Sequence, residues 1–182
     1  MQVSDQELID ALKSDNRKDL AFNELVMKYQ ERLYWHIRKI VINHDDTDDV
    51  LQNTFMKVWK NVDNFREEST LFTWLYRIAT NESLTFLNQK KRHSLAPMNE
   101  VSDFLQQNLE ADEYFDGDDI QKKLQQAILK LPDKQRLVFN MRYFDEMPYQ
   151  EISEILETSV GALKASYHHA ARKIEDYLSS LE

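Results

Sequence analysis

Apolar residues recur at steps of three and four along most of the chain, and no period-two apolar run bounded by turn residues occurs. The expected architecture is therefore all-α. Ser4 with Glu7 three residues on has the form of a capping box, and Leu8, Ile9 and Leu12 give the short helix behind it an apolar face. After the polar break at Ser14, Asp15 and Asn16, the stripe Phe22, Leu25, Val26, Tyr29, Leu33, Ile37, Ile40 and Val41 predicts a long helix that stops at Asn43. Thr47 reads as the N-cap of a third helix whose first turn holds Asp48 and Asp49, where the helix dipole favours carboxylates. Its buried face is Leu51, Phe55, Val58, Trp59 and Val62. A polar loop over 63–69 carries Phe65 and Arg66 and leads into a fourth helix over 70–92, with Leu71, Phe72, Leu75, Ile78, Ala79 and Phe86 inward.

Helical periodicity weakens over 93–119, where Pro97 and Gly117 punctuate a stretch that reads as a linker, with 101–109 able to form a short helix. Fully extended it spans at most ~90 Å. Helix patterns resume at 120–131, with Leu124, Ala127, Ile128 and Leu131 inward, and Pro132 ends that segment. Asp133 reads as the cap of the next helix, which buries Leu137, Val138 and Met141 and runs to about 144. A short helix over 149–156, a tight connection at Glu157, Thr158 and Ser159, and a longer helix from Val160 along Leu163, Tyr167, Ala170, Ile174 and Leu178 have the proportions of a helix-turn-helix. The domain division expected is 1–92, a linker over 93–119, and 120–182.

Two helix faces carry residues that a core does not need. On the fourth helix Thr70, Trp74, Arg77, Asn81, Leu84, Asn88 and Lys91 follow one another at steps of three or four and run into Lys90, Lys91 and Arg92. Cations neutralise phosphates, amides read base edges, and an indole stacks on an unpaired base. The alternative is that Trp74 packs under a neighbouring helix and the basic end suits a helix C-terminus. The loop before it could hold an extruded base, or Phe65 could fold back on the core. On the last helix the outer face of Gly161, Ala162, Lys164, Ala165, His168, His169 and Arg172 mixes small and basic residues, which lets a helix lie close in a major groove. An ordinary helical hairpin is the alternative.

The net charge of −9 argues against a nucleic-acid partner only until it is located. Segment 93–119 holds eight Asp and Glu with no Lys or Arg, whereas 1–92 carries −1 and 120–182 is neutral. Both ends can therefore bear local basic faces. With no cysteine, disulfides and Cys-based metal sites are excluded. Asp45, Asp46, Asp48 and Asp49 lack the alternation and central Gly of a calcium loop, and adjacent His168 and His169 point about 100° apart on a helix, so no metal or other cofactor is expected. The first ten residues lack the basic start and apolar run of a signal peptide, and no apolar run approaches the roughly 20 residues of a membrane helix. The expectation is a cytoplasmic protein without membrane insertion. No nucleophile elbow, phosphate loop or HExxH is present, so the chain is not expected to be an enzyme.

Three stretches, DDVLQNTFMKVWKN, FTWLYRIATNESLTFLNQKKR and LPDKQRLVFNMRYFDEMPYQEISEILETSVGALKASYHHAARKI, resemble in order and spacing a bacterial sigma factor of the extracytoplasmic-function group, sigma-70 family. The resemblance implies a region 2 helical bundle over 1–92 and a region 4 helix-turn-helix over 120–182. It implies promoter-specific transcription initiation with core RNA polymerase and promoter DNA as partners, an anti-sigma factor being a further candidate. Polymerase contacts, on the clamp helices, would come from Asp48, Asp49, Gln52, Asn53, Met56 and Lys60, while the helix over 131–144 would dock on the flap. The −10 element would meet Phe65, Arg66, Thr70, Trp74, Arg77, Asn81, Asn88, Lys90, Lys91 and Arg92. The −35 element would meet Ser159, Gly161, Ala162, Lys164, Ala165, His168, His169 and Arg172.

The chain departs from the family pattern at several points. Thr85 and Asn88 stand where many members carry Asp and Arg, Ser166, His169 and Ala171 stand at positions often basic, and Glu157 replaces the usual turn glycine. A rival reading, a stand-alone helix-turn-helix regulator, would need a dimer to read two half-sites. No dimerisation heptad is evident.

Overall fold

The computed structural model describes residues 3–14, 16–93 and 119–181, and among them every regular element is helical. In chain order these are α1 (Asp5–Leu12), α2 (Lys18–Val41), α3 (His44–Asn61), a short 3-10 turn (Val62–Asn64), α4 (Leu71–His93), α5 (Asp119–Leu129), α6 (Asp133–Tyr143), α7 (Tyr149–Leu156) and α8 (Val160–Ser179). Residues 94–118, which include most of the expected linker and the 101–109 helix, lie outside the described residues.

The first four helices pack around α2, with α1, α3 and α4 all against it and α3 also against α4. Both arms of the Ser4 capping box are formed. Tyr29 and Lys28 then pin α1 to α2, the Tyr29 hydroxyl donating to Asp5 at 2.7 Å and Lys28 Nζ to Asp5 Oδ1 at 2.8 Å. Burial, reinforced by Asp5, pushes the Tyr29 hydroxyl well above its ordinary pKa. Ile42 closes α2 with φ 67° and ψ −41°, a γ-turn in which Asn43 N donates to Val41 O at 2.8 Å, and its side chain is buried in the core.

In the second half α8 is the central element, packed on α5, α6 and α7. A small cluster of Ala127, Ile128, Leu131, Phe139, Ala170 and Ile174 holds α5, α6 and α8 together. The larger apolar cluster does not stop at the boundary between the halves. It runs from α1–α4 into Leu137, Val138, Met141, Met147, Ile152, Ile155 and Leu163, and α7 lies on α4 while α6 touches α2.

Three expectations require correction. The third helix begins at His44, one turn earlier than Thr47, because Asn43 is the cap and accepts from Asp46 N at 3.0 Å. Thr47 is instead buried inside α3, its hydroxyl donating to Asn43 O at 2.6 Å. Asp133 lies in the first turn of α6 rather than capping it, and Pro132 holds the cap position. On α3 the sides of Phe55 and Trp59 are only half-buried, since Phe22 of α2 meets them edge-on and leaves them lining a surface groove.

Candidate nucleic-acid and polymerase interface

The exposed face of α3 is defined by what its other face buries. Thr47, Val50, Thr54 and Val58 point inward, which turns Asp48, Asp49, Gln52, Asn53, Met56 and Lys60 to solvent. Beside them an apolar groove of about 360 Å³ runs between α2 and α3, lined by Phe22, Val26, Phe55, Met56 and Trp59 with Gln52 and Lys60 at its edge. Leu20 and Met27, 67% and 76% exposed, add apolar surface on α2. Sequence reading missed this groove, although Leu20 and Met27 fall off the apolar stripe of α2 and so signal apolar side chains left outside the core.

Ahead of α4, Phe65 is folded onto the core at 6% exposure, its ring centroid 4.8 Å from that of half-buried Trp74. Arg66 remains exposed. Thr70 Oγ1 accepts from Thr73 N at 3.1 Å, so its hydroxyl serves the start of α4. Arg77 is half-buried against the second half of the chain: Nη2 donates to Glu154 O at 2.6 Å and Nη1 lies 3.8 Å from Glu157 Oε1. Asn81, Asn88, Lys90 and Arg92 are exposed, Lys90 Nζ lying 3.2 Å from Asp46 Oδ1. The Lys91 side chain lies outside the described residues.

The α7–α8 turn is closed by Glu157 in a left-handed conformation, φ 50° and ψ 44°, at the position where the family pattern has glycine. Ser159 then caps α8, accepting from Ala162 N at 3.4 Å. Burial of Leu163, Ala170 and Ile174 turns Ser159, Gly161, Ala162, Lys164, Ala165, His168, His169 and Arg172 outward, and all eight are exposed. Gly161 has no heavy atom near the place a Cβ would occupy, so its value lies in the smooth surface it leaves. The rings of His168 and His169 are 6.0 Å apart. Among the described residues no group of three His, Cys, Asp or Glu is placed to hold a metal ion, and no helix is long and apolar enough to cross a membrane.

These three surfaces coincide with two family matches. The family model for sigma-70 region 2 matches residues 25–93, and that for sigma-70 region 4 matches 121–174, together more than half of the chain. The chain belongs to the sigma-70 family, in its extracytoplasmic-function group. It is 28% identical over 196 residues to the RNA polymerase sigma-H factor of Pseudomonas aeruginosa, covering 99% of this chain and 96% of that one. With the ECF RNA polymerase sigma-E factor of Escherichia coli K12 it shares 27% identity over 190 residues, covering 99% and 97%. A structure of CnrH in complex with the cytosolic domain of CnrY superposes with TM-score 0.69 at 22% identity over 97% of each chain. The sigma factor RpoE of Bartonella quintana, solved with the anti-sigma factor NepR, superposes with TM-score 0.65 at 20% identity, over 87% of this chain and 96% of that one. At such identity the two structures establish the fold alone. This sigma factor serves promoter-specific initiation of transcription by RNA polymerase.

Proposed function

We propose that the sigma factor divides its work between region 2 over 1–92 and region 4 over 120–182, joined by the acidic segment 93–119. The exposed α3 face, Asp48, Asp49, Gln52, Asn53, Met56 and Lys60 with the adjoining groove, docks on the polymerase clamp helices, and α6 helps dock region 4 on the flap. The loop and α4 meet the −10 element, and α8 meets the −35 element. No covalent step belongs to this chain; polymerase supplies the chemistry, in the cytoplasm.

The observation that carries this reading is the segregation of exposed side chains. Carboxylates, amides and a methionine occupy one face of α3, while small and basic residues occupy one face of α8. The first suits a protein partner, the second a phosphate-lined groove. Unstacking a base costs a few kcal/mol, and a stacking platform returns ~1–3 kcal/mol per base, so an aromatic at the loop and α4 would trap strand separation once begun. Half-buried Trp74 offers such a surface, and Phe65 supports it from behind.

An anti-sigma factor is the further partner we propose, supported by the two structural neighbours, one solved with the cytosolic domain of CnrY and the other with an anti-sigma factor. The test of the main reading is co-purification with core polymerase followed by run-off transcription on a genomic library. Specific start sites that depend on the added chain are expected, and their absence despite holoenzyme formation would overturn it.

A further inference from the structure

We propose that α1 is a brace for the loop before α4, and that Glu67 is the positioning residue through which it sharpens base preference at the −10 element. The proposal rests on the assignment of that loop and α4 to the −10 element.

The loop over 63–69 is secured at both ends and in its middle. At its entry Lys18 Nζ of α2 lies 2.6 Å from Asp63 Oδ2, and Phe65 is sunk in the core behind Trp74. At its exit Thr70 Oγ1 accepts from Thr73 N and holds the first turn of α4. The middle is held by Glu67 alone, which reaches back to the N-terminal helix. Its Oε1 accepts from Lys13 Nζ, and its Oε2 from Gln6 Nε2 at 3.3 Å, residues 54 and 61 positions away in sequence.

The support behind these bonds is firm. A helix of eight residues is marginal in water by itself. Here Leu8, Ile9 and Leu12 are buried, and Asp5 is held by Lys28 and Tyr29 of α2. Gln6 and Lys13, the latter the C-cap of α1, are about two turns apart and face the same way. The loop therefore leans, through α1, on the central helix of the bundle.

Glu67 also has a positive φ of 58°. Glycine takes that conformation freely, whereas a residue with a Cβ takes it at a cost. What glutamate adds is a carboxylate that reaches α1. The bonds from Lys13 and Gln6 hold this carboxyl below its ordinary pKa, so it is charged at neutral pH. An exposed ion pair adds little to global stability. On a loop it fixes position.

Between the anchors Phe65 and Glu67 stands Arg66, 82% exposed, with Nη1 4.0 Å from Oε1 of Glu68, itself 79% exposed. A donor fork and an acceptor are thus presented next in sequence to the ring that backs Trp74. A base resting on an indole face is told from another by the donors and acceptors at its edge. A slack loop would settle around any base, whereas a loop held in advance penalises the mismatched one. Glu67, turned toward α1, acts through its neighbours.

The test uses holoenzyme made with the full chain and a promoter found by run-off transcription, its −10 element randomised and the transcripts sequenced against the input templates. Glu67→Ala is expected to lower the preference for the favoured base at one −10 position roughly two- to fivefold, the range an exposed ion pair can supply. Lys13→Ala with Gln6→Ala is expected to do the same, with helix content, co-purification with core polymerase and −35 preference at the parent level. The exchanged pair Lys13→Glu with Glu67→Lys is expected to restore the preference. Glu67→Gly removes the strain together with the carboxylate, so it should melt no lower than the parent and still lose the preference. Parent-level preference in Glu67→Gly, a loss spread evenly over all −10 and −35 positions, or no recovery in the exchanged pair overturns the brace. If Glu67→Ala fails to fold, Glu67→Gly and the exchanged pair decide by the same criteria. A parent holoenzyme without base preference at −10 overturns the assignment beneath the proposal, whereas a clear parental preference that no variant moves overturns the brace alone.

Discussion

Phe65 and Trp74 lie ring against ring, centroids 4.8 Å apart and planes inclined by 33°, which joins the loop before α4 to the first turn of that helix. Because Phe65 is almost wholly buried and Trp74 only half so, the two aromatics carry different loads. Phe65→Ala is expected to destabilise the protein by about 3 kcal/mol, lowering Tm by ~6–12 °C in a thermal melt. Trp74→Ala is expected to impair strand opening, read by permanganate reactivity of unpaired thymines, more than co-purification with polymerase. If Trp74→Ala unfolds region 2 instead, its role is structural.

Gln52 and Asn53 are exposed on α3 and have no part in the core. The double variant Gln52→Ala, Asn53→Ala should leave the melting curve within about 0.5 kcal/mol of the parent. It should nevertheless weaken assembly with core polymerase in a competition pull-down. Full-strength assembly would remove this face from the docking surface.

Lys164 and Arg172 stand on the open face of α8. Replacing both by Ala should reduce holoenzyme binding to promoter DNA and lower the slope of log K against log salt by about two, one phosphate contact per cation. Holoenzyme formation should be unaffected. Equal loss of both activities here and in the α3 variant would contradict the division of labour.

His36 is buried, and burial, opposed by the nearby Asp145 carboxylate, holds its imidazole below the ordinary histidine pKa of 6.5. A histidine depressed in the folded state contributes stability that is complete above about 6.5 and is lost as pH falls below that value toward its folded pKa. Asp145, held below 3.8 by His36 and Lys39 against the effect of its burial, begins to cost stability only in stronger acid. Stability should therefore fall between pH 6.5 and 5.5 by up to about 1.4 kcal/mol per pH unit. Chemical denaturation at pH 7.5 and 5.5 checks this, with His36→Gln expected to flatten the difference.

Glu157 occupies a left-handed backbone conformation at the α7–α8 turn. Glu157→Gly should relieve that strain and raise stability by about 1 kcal/mol, some 2–4 °C in Tm. A lower Tm would mean that the contact of Glu157 with Arg77 outweighs the strain.

The sequence by itself determined the helices, because their signals are local. The capping box at Ser4, Pro132 after the 120–131 pattern, and Ser159 ahead of α8 act within a few residues of the backbone groups they satisfy or break, and α7 and α8 begin where periodicity places them. The outward rows on α3 and α8 were legible for the same reason, since a helix that buries one stripe must expose the opposite one. Motif order carried the family.

Burial of polar side chains was not legible in that way. Thr80 and Ser83 lie in the core of α4 because each hydroxyl donates to the carbonyl four residues back, at 2.7 and 2.8 Å, which lets a polar residue pass as an apolar one. His36 is buried between two partners distant in sequence, its Nε2 2.8 Å from the Thr80 hydroxyl and its Nδ1 3.5 Å from Asp145 Oδ2.

Only the tertiary structure decided the fate of the stripe on α4. Helical spacing puts Trp74 and Arg77 in line with Asn81 and Asn88, but whether that line meets solvent depends on what the remainder of the chain lays across it. Phe65 covers part of Trp74, and α7 takes the guanidinium of Arg77, while Asn81 and Asn88 remain open. Contacts such as Asp145 with Lys39, more than a hundred residues apart, arise from the summed burial of two apolar faces, and no local pattern records which faces will meet.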